Sequence, residues 1–273
     1  MEKLEHASSL ALPHSFSAEP VEMSEEMSEY TLPASPTPFR RHLTRAWFQI
    51  RHPHRFRLIQ EQTAREKCMF VHIPKCAGTS VRQSLFGRGG GHRPLENFRT
   101  MVPRELFDQC FKFTFVRNPW DRLVSAFFFM QKCDVERNQR FARRHLCAFN
   151  NFESFVRQWV TRKNIWSFTH FLPQHHFICI DQRLGVDFVG FYENIAEDFA
   201  IIAEKMGKPT ALCDANRLGG RAKDYRQYYN DETRDIVAKV YAEDIALLGY
   251  SFDNSSLHDQ LAARDPRMRA VAV

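Results

Sequence analysis

The residues best equipped for chemistry stand in two short runs. The first is Pro74-Lys75-Cys76-Ala77-Gly78-Thr79-Ser80, which follows the apolar run Cys68-Met69-Phe70-Val71-His72-Ile73 and precedes Val81, Leu85 and Phe86. A turn of small residues at a helix start aims backbone N–H groups outward and adds the positive end of the helix dipole. Gly78 lets an anion come close, Thr79 and Ser80 add hydroxyl donors, and Lys75 adds a mobile positive charge. Together they would cradle a phosphate-like group. The plainer reading is an ordinary strand-to-helix turn with an exposed lysine, and these seven residues alone do not separate the two. The lysine precedes the glycine, so this is not the G-x-x-x-x-G-K-[ST] loop of nucleoside triphosphatases.

The second run is Phe115-Val116-Arg117-Asn118-Pro119-Trp120-Asp121-Arg122-Leu123-Val124-Ser125. Arg117 falls at the carboxyl end of a predicted parallel strand, where open α/β sheets bind ligands. Its guanidinium can grip a phosphate by two parallel hydrogen bonds. Ser125 lies about two turns into the following helix and offers a hydroxyl on the same side. Asp121 and Arg122 are read as a local ion pair. Two phosphate sites on neighbouring strands imply a ligand with two separated anionic groups.

The elements that must position these groups follow from periodicity. Residues 68–73 and 111–117 read as buried strands, and Phe177–Ile180 and Val186–Phe191 as shorter ones. Helices are expected from Gly78 to about Gly87, from Pro119 with Asn118 as its cap, over Phe152–Val160, over Asn194–Lys205 and over Asp231–Leu248. Arg88–Pro94, with three consecutive glycines, must be a loop. His175 and His176 are read as strand-edge residues. Strands alternating with helices argue for an α/β fold, a P-loop-like three-layer domain with a central, mainly parallel sheet flanked by helices. No internal repeat is found.

Composition narrows the class. With 273 residues, 44% of them apolar and 25 of them Phe, the chain can bury a sizeable core, which excludes wholesale disorder. No run approaches the ~18 apolar residues of a membrane helix, and no apolar stretch behind a basic cap suggests a secretory signal, so a cytoplasmic protein is expected. Seven cysteines without close spacing read as reduced thiols, not as a metal or disulfide framework. The net charge of +6 is uneven, since residues 1–40 hold seven Glu against Lys3 and Arg40. The rest is therefore more basic than the total and expects an anionic partner. Residues 1–40, rich in Ser, Pro and Glu, read as a disordered acidic tail. Residues 41–67, with Arg41, Arg45, Arg51, Arg55 and Arg57 among Trp47, Phe48 and Phe56, read as a basic linker or collar. The working domain is set at 68–255 and a C-terminal tail at 256–273.

The two runs, His72 to Ser80 and Phe115 to Ser125, resemble the carbohydrate sulfotransferases of Golgi and bacterial type, which use 3′-phosphoadenosine 5′-phosphosulfate (PAPS). The resemblance continues through His170-Phe171-Leu172-Pro173-Gln174, through Val186 to Ile195, and through Asp224 to Tyr229 with Tyr241 to Tyr250. It implies that Lys75, Cys76, Ala77, Gly78, Thr79 and Ser80 bind the 5′-phosphosulfate, with Lys75 also neutralising the leaving group. It implies that Arg117 and Ser125 bind the 3′-phosphate, with Arg221, in the basic stretch from Arg217 to Lys223, as a further candidate. No metal is required. Two histidines compete as the base that deprotonates the acceptor, His92, in the glycine-rich loop, and His170, while some members of the family use a glutamate instead. The acceptor is expected to be a hydroxyl of a saccharide or glycolipid, not nucleic acid. The lack of a Golgi-type anchor suggests a soluble, bacterial-style enzyme, with residues 41–67 leaving room for contact with a membrane surface. A P-loop-type nucleotide kinase is the first alternative. It would want a lysine after the loop glycine and an acidic magnesium ligand at a strand end. A non-enzymatic protein that binds an anionic ligand is the second.

Overall fold

The computed structural model of the protein describes residues 38–87, 91–133, 135–213 and 224–263. The segment read as a basic collar forms two helices, α1 (Pro38–Arg51) and α2 (Pro53–Glu66). Pro53 separates them: it opens α2 at a position where its missing N–H is no loss. Phe56, Ile59 and Thr63 of α2 are buried. Left-handed Lys67 ends the helix, its N–H bonded to the carbonyl of Thr63, and β1 (Cys68–Val71) follows at once.

From β1 the chain passes through α3 (Gly78–Phe86), α4 (Leu95–Met101) and α5 (Arg104–Gln109) to β2 (Phe111–Val116). Next come α6 (Pro119–Lys132), α7 (Glu136–His145) and α8 (Phe152–Trp159). Then α9 (His175–Ile178), β3 (Cys179–Ile180), β4 (Arg183–Leu184), β5 (Phe188–Phe191) and α10 (Ile195–Lys205) follow. The described chain closes with α11 (Asp231–Val240), α12 (Ala242–Leu248) and α13 (Leu257–Ala262). β2 is the middle strand of a three-stranded sheet in the order β1-β2-β5, and both pairings are parallel, with Phe70 opposite Phe113 and Thr114 opposite Val189. All four residues of β1 and five of the six in β2 are buried. Successive side chains point to opposite faces, so both faces of this small sheet are covered.

Helices flank the sheet in two apolar clusters. One gathers β1, β2 and β5 with α2 to α5 and α10. The other packs Phe127, Phe155, Trp159 and Phe171 between α6, α8 and α11. The three parallel strands end side by side, at residues 71, 116 and 191. That shared carboxyl edge is the crevice where such sheets bind ligands.

Several expected elements differ. Phe177 and Ile178 lie in α9 rather than in a strand, and His175 and His176 belong to the same helical turn, not to a strand edge. β3 and β4 pair antiparallel through Asp181 and Gln182, both at positive φ (51° and 62°), the backbone of a two-residue hairpin. The helix expected over 231–248 is two, broken at Tyr241, whose hydroxyl donates to the carbonyl of Phe171 at 2.7 Å. Part of the expected C-terminal tail is α13. The acidic segment 1–37 and the basic stretch Arg217–Lys223, with Arg221, lie outside the described residues.

Gly190 in β5 shows how tightly the sheet is covered: a Cβ there would fall 2.6 Å from the ring of Phe115, itself fully buried in β2. Gly190→Ala should destabilise the protein by ~1–3 kcal/mol, the usual cost of overpacking a close-packed interior. A lowered urea midpoint with an unchanged m-value would register it.

Candidate active site

The turn between β1 and α3 has an unusual backbone. Lys75 (φ 70°) and Ala77 (φ 56°) are both left-handed, and Cys76 between them is not. Alternating handedness turns successive N–H groups toward one point, the geometry of an anion nest, and holding non-glycine residues there costs about 1–3 kcal/mol each. α3 begins at Gly78, so its first N–H groups open on the same side. What meets Gly78 is the ring of His72: a Cβ would lie 1.8 Å from it, so only a glycine here admits the histidine.

The turn is held from behind by Gln174, which is fully buried. Its Oε1 accepts from the backbone N–H of Arg117 at 2.9 Å and from the thiol of Cys76 at 3.4 Å, and its Nε2 donates to the carbonyl of Arg117 at 2.8 Å. The backbone N–H groups of Gln174 and His175 donate in turn to the two carboxylate oxygens of Asp244, at 2.7 and 2.8 Å. Burial pushes the Cys76 thiol up to about 12, which keeps it protonated and donating.

Lys75, His92 and His170 meet around Phe129 of α6. The Lys75 ammonium stands 3.8 Å over the Phe129 ring, and His170 stacks on that ring at 5.0 Å. His92 packs 5.4 Å from His170 and 4.3 Å from His72. Nδ1 of His92 lies 3.2 Å from the carbonyl of His72. A carbonyl only accepts, so Nδ1 carries the proton and Nε2 presents a lone pair. Burial, together with the Lys75 charge, lowers the His92 pKa to about 4. Burial lowers His170 further, to about 3, aided by His92 and Lys75. Both imidazoles are therefore neutral near pH 7. His170 is the more enclosed, and its Nδ1 is buried without a hydrogen-bond partner among the described residues.

Arg117 and Ser125 occupy the neighbouring strand end. Arg117 donates through Nε to Asp121 at 2.8 Å, through Nη2 to the same carboxylate at 2.7 Å, and through Nη1 to the Lys75 carbonyl at 3.0 Å. It also lies 3.8 Å over the ring of Tyr192. Three of its five N–H groups are thereby used within the described residues. Asp121 thus pairs with Arg117, while Arg122 reaches across to the carbonyls of Leu172 and His170, so the local Asp121–Arg122 pair expected from sequence is replaced by this arrangement. Asp121, Ser125 and Phe129 follow one another at four-residue spacing, so half-buried Ser125 sits between the Arg117 and Lys75 stations.

Comparison with known proteins now bears on this arrangement. The model of the Sulfotransferase family matches residues 62–251, more than half of the chain and all of the site described above. The chain belongs to the sulfotransferase family. An uncharacterized protein from Archaeoglobus fulgidus is 31% identical over 119 residues, which cover 44% of this chain and 86% of that protein. No solved structure matches the chain.

Within this sulfotransferase, sequence reasoning gave no role to Gln174, Asp244, Phe129 or Glu193. Glu193 accepts from the backbone N–H of Asn118 at 2.7 Å and from the hydroxyl of Tyr250 at 3.0 Å, tying the second run to the C-terminal segment. Gln174, Asp244 and Glu193 lie inside resembling segments and Phe129 does not, and each of the four acts through partners remote in sequence. His175 is the most coupled: its Nδ1 lies 2.7 Å from Asp244 and its Nε2 2.9 Å from Glu243. Burial alone would lower its pKa, but these two carboxylates raise it to about 9. A folded-state pKa above the unfolded value of ~6.5 contributes stability that is complete below pH ~6.5 and fades as pH rises through about 9. Urea midpoints should therefore fall between pH 7 and 10, by ~2–3 kcal/mol of stability, and His175→Gln should flatten that slope. An equal slope in the variant would remove His175 from the account.

Proposed function

We propose that this sulfotransferase moves a sulfuryl group from PAPS to a hydroxyl of a saccharide or glycolipid acceptor. The observation that carries the reading is the convergence of Lys75, neutral His92 and the nest at 75–77 on the carboxyl edge of a parallel sheet, with a second cationic station at Arg117. The donor would supply an activated sulfuryl group whose bridging oxygen gains charge as its bond to sulfur breaks. The residues present fit such a ligand. The N–H groups from Cys76 to Ser80 and the Thr79 and Ser80 hydroxyls would hold one anionic group, and the two remaining N–H groups of Arg117 with the Ser125 hydroxyl would hold the other. We also read the β1–loop–α3 unit as P-loop-like and the domain as three-layered, since both faces of the sheet are covered.

The chain's own residues then divide the work. Lys75 neutralises the leaving oxygen, a contribution made mainly in the transition state. Nε2 of His92 accepts the acceptor's hydroxyl proton, and its Nδ1–H bond to the His72 carbonyl fixes the tautomer that can do so. His170, enclosed between Phe129, Phe168 and His92, backs the base rather than replacing it. A kinase reading lacks support, because Asp121 and Glu193, the carboxylates at the strand ends, are turned to Arg117 and to Asn118 and Tyr250. Free thiols at all seven cysteines suit a reducing compartment, and the cytoplasm is the one we propose.

Lys75→Ala should lower kcat ~10²–10³-fold, as loss of one transition-state donor does. Desulfated PAPS should bind more tightly than 5′-AMP by calorimetry, and Arg117→Ala should erase that difference. Equal binding of the two ligands to the unsubstituted protein would overturn the 3′-phosphate assignment.

The base has its own signature. The histidine must be neutral to accept a proton, so kcat/KM should rise through about pH 4 and stay level through 6.5. The limb in kcat should lie higher, because bound anionic donor cancels the Lys75 field that helps depress His92. His92→Ala should lose most turnover and the limb together while keeping its affinity for desulfated PAPS. Retention of the limb would give the role to another group.

A further inference from the structure

Helix α1 is mounted with its apolar side outward. Arg41, Arg45 and Phe48, at spacings of four and three, are half-buried against the body of the protein, with Phe48 and Arg45 both on Phe56 of α2. Leu43, Trp47 and Ile50, at the same spacings on the opposite side, are 55, 57 and 77% exposed. They are three of the five large apolar side chains that the described residues expose, and a fourth, Leu58, is on α2. A surface helix ordinarily faces the other way. Along α1 and the first half of α2 the charge has one sign: no Asp or Glu occurs from residue 38 to residue 60, and Arg51 and Arg55 are exposed.

We infer that the outer face of α1 docks on an anionic lipid surface. The stripe offers Leu and Ile for the acyl boundary and Trp47 for the headgroup level, where an indole with one polar edge is most at home. Arg51 and Arg55 supply attraction to acidic headgroups, each contributing about a fivefold gain in partitioning. A second copy of this chain would bring the same positive charge to the contact. Residues 1–37 would bring negative charge, and Met23, Met27 and Tyr30 repeat the spacing of the stripe, but the run that holds them is confined between Pro20 and Pro33, and an isolated helix of about 12 residues is marginal in water. An acidic bilayer meets both demands at once. Among the described residues no helix is long and apolar enough to cross a membrane, so the contact is a surface one. It is independent of the sulfuryl-transfer reading, although it would suit a glycolipid acceptor.

The test is co-sedimentation of the full chain with vesicles of phosphatidylcholine, with and without phosphatidylserine, at two salt concentrations. Binding should require the acidic lipid, weaken with salt, and blue-shift the Trp47 emission, as judged against Trp47→Phe. The triple variant Leu43→Ser/Trp47→Ser/Ile50→Ser should bind at least about tenfold more weakly, and Arg51→Glu/Arg55→Glu by a similar factor, if each arginine contributes as above. Calorimetry with desulfated PAPS should be unchanged in both variants, which separates a lost docking face from a lost fold or a misread site. Equal binding to both vesicle types, or binding unaffected by the triple variant, would overturn the proposal. So would vesicle-free self-association that the triple variant abolishes, which would assign the face to a second copy. Binding that appears only when residues 1–37 are cleaved from the chain would assign the face to that segment.

Discussion

The side chain of Gln174 closes a ring of hydrogen bonds between two loops that lie 98 and 57 residues away in sequence, at Cys76 and at Arg117. Its amide satisfies both backbone groups of Arg117 at the point where β2 ends and no neighbouring strand can pair with them. Leaving one such buried group unsatisfied costs ~1–3 kcal/mol, so the amide fixes where the chain emerges from the sheet. Asp244 seats Gln174 by taking the two N–H groups at 174 and 175, and His175 neutralises Asp244. The strained backbone at Lys75 and Ala77 persists because this lattice over-determines it.

That arrangement also decides what the charges can do. A buried ion pair is rarely a net gain in stability, since desolvation offsets the attraction. Arg117 with Asp121, and His175 with Asp244 and Glu243, are better understood as devices for direction. Asp121 turns the Arg117 fork so that one edge, Nε and Nη2, faces the carboxylate and Nη1 faces the turn at Lys75. The Lys75 carbonyl accepts from the same guanidinium, so the turn and the arginine hold each other in place. Two cations are thereby aimed before any ligand arrives, which is where electrostatic preorganisation gains its advantage over water.

The strand–turn–helix unit at 68–86 was readable because its signals are local: an unbroken apolar run, a small-residue turn and an amphipathic restart. The Asn118 cap with Pro119 behind it was equally local, and Asn118 does accept from the backbone N–H of Trp120 at 3.0 Å. The roles of Gln174 and Asp244 were not readable, because a glutamine and an aspartate look the same in a loop or in a core until the partners 57 to 98 residues away are known. The Asp121–Arg122 pair failed for the reverse reason: adjacency in sequence points the two side chains to different sides of a helix, whereas Arg117 precedes Asp121 by four residues and shares its side. The run at 177–180 misled because four apolar residues fit a helical turn as well as a strand, and length alone could not arbitrate. The arginines of 41–57 advertised a charged surface and hid the fact that their helix presents its apolar side to the outside.

Helix α6 sets the scale of the site. Asp121 orients Arg117 at its first turn, Ser125 follows four residues later, and Phe129, four beyond that, carries Lys75 on its face. Eight residues of helix separate the two cationic stations by ~12 Å along the axis. A rigid rod of that length fixes the distance between two cationic groups far better than two loops could. Phe129 adds a second constraint. Its ring takes the ammonium on its face, an attraction that strengthens as water is excluded, and it stacks with His170 as well. The lysine is thus held close enough to depress both histidines. An aromatic partner positions a cation without cancelling its charge.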